Sequence, residues 1–314
     1  MKPKLSVVVN SLYFDPEHYK KEIRTVIEEL RNEFDVKICL PNSKPDIFGS
    51  VSVDERIASI NEGLAFSNNL LSFAGGFNSI ELLRRFDEIK ATSKTTFIGS
   101  SDGTILLNAL YAQKSASGLY GPDFMCMVFD IEHIKQTVYL LAAALRGDFK
   151  SISASLNTGS TRVSQNGSHE LVIVGGNNYT FDLLQGTRFA PVLNRPFALL
   201  MEGEYAEGNT LSSRSEIFAD FIRNVDSVLL QPGAAKNIRA LLIGRFPEYI
   251  GVEDDYFKKL IADRPLLQNI PVVYELAVGH TKNVSYIPYG MPVKLVCSKD
   301  SQHIKVNNLT SKKV

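Results

Sequence analysis

The sequence predicts an α/β protein: an N-terminal, mostly parallel, doubly wound sheet followed by a smaller, β-rich α/β domain. Three observations carry that prediction. Short apolar runs alternate with helix-period stretches over residues 5–145, and such alternation builds parallel sheets covered by helices. Between Gly147 and Glu170 the composition turns polar and rich in Ser, Thr, Asn and Gly. Beyond that stretch the apolar runs are shorter and read mostly as strands. A chain of 314 residues is also longer than one hydrophobic core usually serves. The expected division is residues 1–148, a linker at 149–170, and residues 171–314.

The elements follow in order. Residues 5–10 read as a buried strand, too brief for a secretory h-region. Pro16 opens a helical stretch at 18–34, in which Ile23, Val26, Ile27 and Leu30 recur at helical spacing. Residues 36–40 and 70–74 are strands, with an amphipathic helix at 54–66 between them. A helix at 79–86, a strand at 95–99 and a helix after Ser101 continue the alternation. A strand at 125–129 and a helix at 131–145 complete it. In the second half, residues 171–174, 198–201, 240–243, 271–274, 284–287 and 293–297 read as strands. Helices are expected near 214–222 and 254–261, and the polar tail 301–314 is expected to fray.

Composition narrows the function. Apolar residues make up 44% and charged residues 22%, ordinary values for a soluble globular chain. Lys plus Arg equals Asp plus Glu at 34 each, so nothing points to nucleic acid. No apolar run is long enough to span a bilayer, and no membrane partner is expected. Cys39, Cys126 and Cys297 are few, odd in number and far apart, which favours a reducing compartment and a cytoplasmic protein. The sequons at Asn166, Asn178, Asn283 and Asn308 then carry no meaning. The metal motifs His-x-x-x-His, Cys-x-x-Cys and His-Glu-x-x-His do not occur, and phosphate-binding glycine loops are missing, so neither metal nor cofactor is expected. Trp is absent, which leaves a base-stacking platform without an anchor.

The chemistry gathers on one stretch. Gly99-Ser100-Ser101-Asp102-Gly103 ends a strand and opens a helix, and it fits the G-x-S-x-G nucleophile elbow with Ser101 at its centre. The bland reading is a loop with Asp102 as helix N-cap. A nucleophilic serine needs a base, and the base needs an orienting carboxylate. Of five histidines, His18, His133, His169 and His303 fall in helices, the linker or the tail. His280 follows the β-type run 272–278 and Gly279, where a strand end presents a side chain. Glu202 closes the apolar run 197–201, with Glu204 an equally plausible neighbour. The order Ser101, Glu202, His280 is that of the α/β-hydrolases. For an oxyanion, the N–H of Asp102 adjoins the serine, and Gly75-Gly76 ends the preceding strand without a Cβ to keep backbone away. The competing reading is a turn into a helix capped by Asn78 or Ser79.

Nine pieces, in this order, form one pattern. They are Phe73-Ala74-Gly75-Gly76-Phe77-Asn78-Ser79, Phe97-Ile98-Gly99-Ser100-Ser101-Asp102-Gly103-Thr104, Tyr120-Gly121-Pro122, Gly175-Gly176-Asn177, Gly186-Thr187, Leu199-Leu200-Met201-Glu202, Gly244-Arg245-Phe246, Gly279-His280 and Ile287-Pro288-Tyr289-Gly290. The pattern resembles the LD-carboxypeptidase family of serine peptidases, over roughly residues 5–297. That family includes muramoyl-tetrapeptide carboxypeptidases and the self-immunity proteins that cleave microcin C.

The resemblance implies Ser101 as nucleophile, His280 as general base and Glu202 as orienting carboxylate. It implies an oxyanion hole of the Gly76 and Asp102 N–H groups, a triad assembled across the two domains, and a homodimer. The chain departs from the family in having Ser100 and Gly103 where Tyr and Ile are usual. Tyr120 stands where many members have His, and it is a candidate substrate contact. The implied reaction releases D-alanine from an L,D-bond in a murein-derived tetrapeptide, a small peptide substrate. Arg245 is one candidate partner for the substrate's terminal carboxylate, a surface arginine being the alternative. The alternatives in function are a microcin-type peptidyl-nucleotide hydrolase, a non-catalytic binding protein on the same scaffold, and an ordinary esterase.

Overall fold

The computed structural model describes residues 2–14, 16–203 and 214–309. Strands β1 (Lys4–Val8), β2 (Asp35–Cys39), β3 (Asn69–Ser72), β4 (Thr96–Gly99) and β5 (Ser117–Tyr120) form one parallel sheet in the order β5-β4-β3-β1-β2. Leu5, Val7 and Val8 are fully buried, as expected of a parallel strand covered on both faces. The covering helices include α1 (Lys20–Glu33) and α2 (Val53–Phe66). A capping box opens α2: Ser52 accepts from the Glu55 N–H, and the Glu55 side chain accepts from the Ser52 N–H. The helix expected at 79–86 is a 3-10 stretch, Ser79–Glu88.

Helix α3 (Thr104–Lys114) leaves the end of β4 and is buried from Thr104 through Leu110. The run 125–129, expected as a strand, is helical instead: α4 (Phe124–Phe129). Asp123 starts it, its carboxylate accepting the Cys126 N–H at 2.8 Å. A five-residue apolar run buried on most sides has no period to separate helix from strand, so the cap decided. The fifth strand is β5, which lies just before it. Helices α5 (Ile134–Leu145) and α6 (Phe149–Leu156) follow.

The stretch 149–170, expected as a linker, holds α6, β6 (Arg162–Val163) and the start of β7 (Gly167–Asn177). Its polar side chains are spent on backbone: Asp148 caps α6 through the Ser151 N–H at 3.2 Å. Parallel strands β7, β8 (Phe197–Glu202), β9 (Ile238–Gly244) and β10 (Val272–Leu276) form the middle of a second sheet. Strand β11 (Ile287–Tyr289), expected in this half's sheet, instead runs antiparallel beside β5 and extends the first sheet. Strands β12 (Pro292–Ser298) and β13 (His303–Asn308) return to the second, whose order is β13-β12-β7-β8-β9-β10-β6. The tail therefore does not fray through residue 308. Asn157, at the end of α6, holds β13 by accepting the Ile304 N–H at 2.7 Å and donating to the Ile304 carbonyl at 2.8 Å.

Buried polar bonds tie the two sheets where α3 passes between them. Asn108 donates to the Gly175 carbonyl at 2.9 Å and to the Thr104 carbonyl at 2.7 Å, and its carbonyl accepts from the Tyr289 hydroxyl. Thr104 accepts the Asn177 N–H at 3.0 Å. An unpaired buried amide costs about 1–3 kcal/mol, so this pairing fixes how the halves meet. No helix among the described residues is long and apolar enough to cross a membrane.

Candidate active site

The site forms where β3, β4, β5, β8, β9 and β10 end. Strand β4 stops at Gly99, and Ser101 takes the left-handed backbone conformation, φ +51°. For a residue with a Cβ this is strained, and such strain turns a hydroxyl out of a strand end. Gly75 is the glycine pressed against it: a Cβ there would lie 2.8 Å from Ser101 Cβ and 3.0 Å from its Oγ. Gly76, with φ +136°, turns the chain away, and a Cβ there would lie 2.3 Å from Leu12. Gly103 is helical, φ −59°, and a Cβ on it would meet nothing closer than 3.5 Å. A larger residue would fit there, so Gly103 is not a steric requirement of the turn.

Asp102 is buried, yet its side chain does not cap its own helix. The carboxylate accepts from the Ser79 N–H at 2.7 Å and from the Ser11 hydroxyl, tying the serine turn to the ends of β1 and β3. The backbone N–H beside Ser101 is thereby held in place.

Glu202 ends β8, whose six residues are all buried. Its Oε2 meets His280 Nδ1 at 2.8 Å, while Oε1 accepts from the Tyr120 hydroxyl at 2.5 Å and from Asn177 Nδ2 at 3.2 Å. Gly244 and Gly279 make room for this carboxylate: a Cβ on Gly279 would sit 2.9 Å from Oε2, and one on Gly244 2.8 Å from Glu202 Cβ. Burial alone would push the carboxyl up, but His280 and three hydrogen bonds hold it below the usual range. A carboxylate only accepts, so His280 Nδ1 carries the proton and Nε2 is the basic nitrogen. The Tyr120 oxygen also accepts the Ser101 N–H at 3.3 Å. Ser101, Tyr120, Glu202 and His280 thus lie on one hydrogen-bonded path.

Beside this path opens a cavity of ≈ 390 Å³. Ser100, Gly121, Pro122, Cys126 and Asp130 line it from the first half of the chain, and Tyr249, His280, Thr281 and Lys282 from the second. Phe129 and Tyr249, each 53% exposed, are its aromatic walls. Next in sequence to the lining residue Pro122 is Asp123, 2% exposed, whose carboxyl burial pushes up to about 6 against the hydrogen bond from Cys126 and the charge of His280. Stability from this group is present below the ordinary carboxyl pKa near 4 and is lost as pH rises through 6. About two pK units correspond to roughly 3 kcal/mol. Denaturant titrations at pH 4 and pH 7 should show Asp123→Asn gaining about that much on the wild type at the higher pH. Parallel stability curves for the two proteins would refute it.

Two of the candidate substrate contacts are engaged within the protein. Tyr120 is fully buried and does not line the cavity; its hydroxyl is taken by Glu202. Arg245 follows the end of β9, and its Nη2 donates to the Lys282 and Asn283 carbonyls at 2.9 and 3.1 Å, while its buried Nε has no partner among the described residues. It holds the loop that follows His280. Glu204 lies outside the described residues. Sequence reasoning missed Lys282, Asp123 and the role of Asn177. Asn177 was signalled only as the end of the Gly175-Gly176-Asn177 piece, and Lys282 only by lying two residues past His280. Among the described residues, no cluster of three or more His, Cys, Asp or Glu is placed to hold a metal ion.

Residues 6–121 match the LD-carboxypeptidase N-terminal domain and residues 172–295 the LD-carboxypeptidase C-terminal domain. Two curated relatives carry the name "Putative carboxypeptidase". That of Treponema pallidum is 30% identical over 269 residues, 80% of this chain and 77% of its own length. YocD of Bacillus subtilis is 28% identical over 295 residues, covering 86% of each. Among solved structures, an MccF-like protein from Bacillus anthracis superposes with a TM-score of 0.81 at 23% identity, over 98% of this chain and 97% of its own. A muramoyltetrapeptide carboxypeptidase from Oxalobacter formigenes superposes with a TM-score of 0.66 at 20% identity, over 97% and 99%. At these identities the structures speak for the fold, while the domain matches and the Treponema relative speak for the family. The chain belongs to the LD-carboxypeptidase family and is a serine-type carboxypeptidase.

Proposed function

We propose that this carboxypeptidase releases terminal D-alanine from the L,D-bond of murein-derived tetrapeptides through a Ser101–His280–Glu202 triad. The observation that carries the reading is the continuous hydrogen-bonded path from the Ser101 N–H through Tyr120 and Glu202 to His280 Nδ1. In this mechanism Ser101 Oγ attacks the scissile carbonyl while His280 Nε2 takes its proton. The N–H groups of Gly76 and Asp102 receive the oxyanion. His280 then protonates the departing D-alanine amine, and water, activated by the same imidazole, hydrolyses the acyl-enzyme. Lys282, a cation on the cavity wall two residues from His280, is the partner proposed for the terminal carboxylate. Lys282→Ala should raise KM about tenfold and leave kcat within about twofold, the signature of lost ground-state binding. An unchanged KM excludes the assignment.

A second reading keeps the chemistry and changes the leaving group. Phe129 and Tyr249, exposed in the cavity wall, suit a planar aromatic group, as in a peptidyl-nucleotide amide. One solved neighbour with a TM-score of 0.75 at 19% identity, over 98% of this chain and 96% of its own, is an MccF in complex with glutamyl sulfamoyl guanosine. Incubation of the purified protein with a muropeptide tetrapeptide and with an aminoacyl sulfamoyl nucleotide, products read by mass spectrometry, separates the two. Release of D-alanine supports the first reading; nucleotide release without D-alanine overturns it in favour of the second. Turnover of neither overturns both readings of the substrate. A cytoplasmic location and a homodimer belong to the first reading, the dimer being read by light scattering.

A further inference from the structure

Tyr120 occupies a position from which the direction of every neighbouring proton is dictated. A carboxylate can only accept and a backbone N–H can only donate. Glu202 Oε1, 2.5 Å away, must therefore receive the phenol proton, and the Ser101 N–H, at 3.3 Å, must point at the phenol oxygen. Thr104 accepts the Asn177 N–H at 3.0 Å, which frees its own proton for the same phenol oxygen. Asn177 closes the ring through its side chain, which donates to Glu202 Oε1 at 3.2 Å. The phenol stays protonated, because burial and the adjacent Glu202 charge raise it well above its ordinary range.

The surroundings are shaped for this ring. Tyr120 is fully buried at the end of β5. Gly176, φ +128°, lies against it: a Cβ there would come within 2.9 Å of Tyr120 Cε2 and 2.6 Å of Thr104 Oγ1. The first sheet thus supplies the hydroxyl and the second the carboxylate. This contact joins the two sheets at the site itself, beside the Asn108 and Thr104 bonds that hold them together nearby.

We propose that Tyr120 is a positioning residue that couples the Glu202 carboxylate to the Ser101 turn, and that its hydroxyl sets how strongly Glu202 polarises His280. The charge that Tyr120 draws onto Oε1 is charge that His280 does not feel through Oε2. Removing the donor leaves a more basic carboxylate against the imidazole and favours the imidazolium. It also removes the bond that the Ser101 N–H makes to the phenol oxygen. Among the described residues, the other ionisable groups near His280 are Asp123, whose carboxyl feels its charge, and Cys126, Asp130, Tyr249 and Lys282, which line the same cavity. Tyr120→Phe touches none of them.

The inference rests on the proposed triad for its kinetic consequence only. The deciding measurement is the titration of His280 by NMR in the intact protein, which needs neither substrate nor turnover. Tyr120→Phe should raise the His280 pKa by about half a unit to one unit. Site-specific 3-fluorotyrosine at position 120, a stronger donor of the same shape, should move it the opposite way. With substrate, the acidic limb of kcat/KM should follow both shifts, because the neutral imidazole is the base. A purely structural tyrosine would lower thermal stability without moving the titration, and would give no reversal of sign. A His280 pKa unchanged in Tyr120→Phe overturns the proposal. Should that variant not fold, an unchanged titration in the fluorotyrosine protein overturns it equally. Shifts in the NMR titration with no hydrolysis of any substrate would instead count against the catalytic reading.

Discussion

Ser101→Ala is expected to lower kcat for tetrapeptide cleavage by about four to six orders of magnitude, with KM or Kd changed by less than about threefold. A 10⁵-fold loss corresponds to about 7 kcal/mol of barrier. The other hydroxyl on the path cannot replace the oxygen, because the Tyr120 hydroxyl is locked onto Glu202. The residual rate would come from the oxyanion donors and from substrate positioning. Alanine at φ +51° retains the strain of the turn and loses only a small side chain, so folding should survive. Steady-state kinetics on the variant, with calorimetric binding of uncleaved substrate, read both halves of the prediction. Turnover within tenfold of the wild type would remove Ser101 from the mechanism.

Most parallel strands of both sheets were legible as short, dense apolar runs, but β5, Ser117–Tyr120, was not, because its Ser-Gly start carries no such run. The elements misread were those decided by partners far along the chain. Residues 125–129 became a helix through a cap at Asp123, and residues 287–289 joined β5 across more than half of the chain. The tail strand β13 is held by Asn157 and by β12, neither of which is visible in the tail's own polarity.

The site divides along the same line. Ser101, Glu202 and His280 are strand-end residues, so local pattern and order single them out. Arg245 also follows a strand end, but the peptide carbonyls of Lys282 and Asn283 take its guanidinium. Two free carbonyls in a loop leave no mark on side-chain sequence. Tyr120 was read as a substrate contact for the related reason that nothing local tells a buried phenol from an exposed one. The register of β7 on β8 pairs Asn177 with Glu202, but both reach Tyr120 only after the two sheets have met.

Glu202→Gln separates catalysis from folding more cleanly than any truncation. Glutamine keeps the volume in a position that is 0% exposed, and its carbonyl oxygen can still accept from Tyr120 and Asn177. The amide nitrogen then faces His280 Nδ1 as a donor, which forces Nδ1 to accept and places the proton on Nε2. In the proposed triad that is the wrong tautomer, since Nε2 must be free to take the Ser101 proton. The expected loss in kcat is about 10³- to 10⁴-fold. Stability should hold at acid pH and fall modestly at neutral pH, because the neutral amide loses the charge-assisted bonds that hold the Glu202 carboxyl below its usual range. Glu202→Ala should behave differently. It leaves the Tyr120 hydroxyl, Asn177 and His280 without their acceptor and opens a cavity, for an expected destabilisation of about 3–5 kcal/mol. Kinetics and denaturant curves on the two variants read the contrast. If glutamine were as active as the wild type, Glu202 would be a structural acceptor for the buried donors around it and His280 would be oriented by something else.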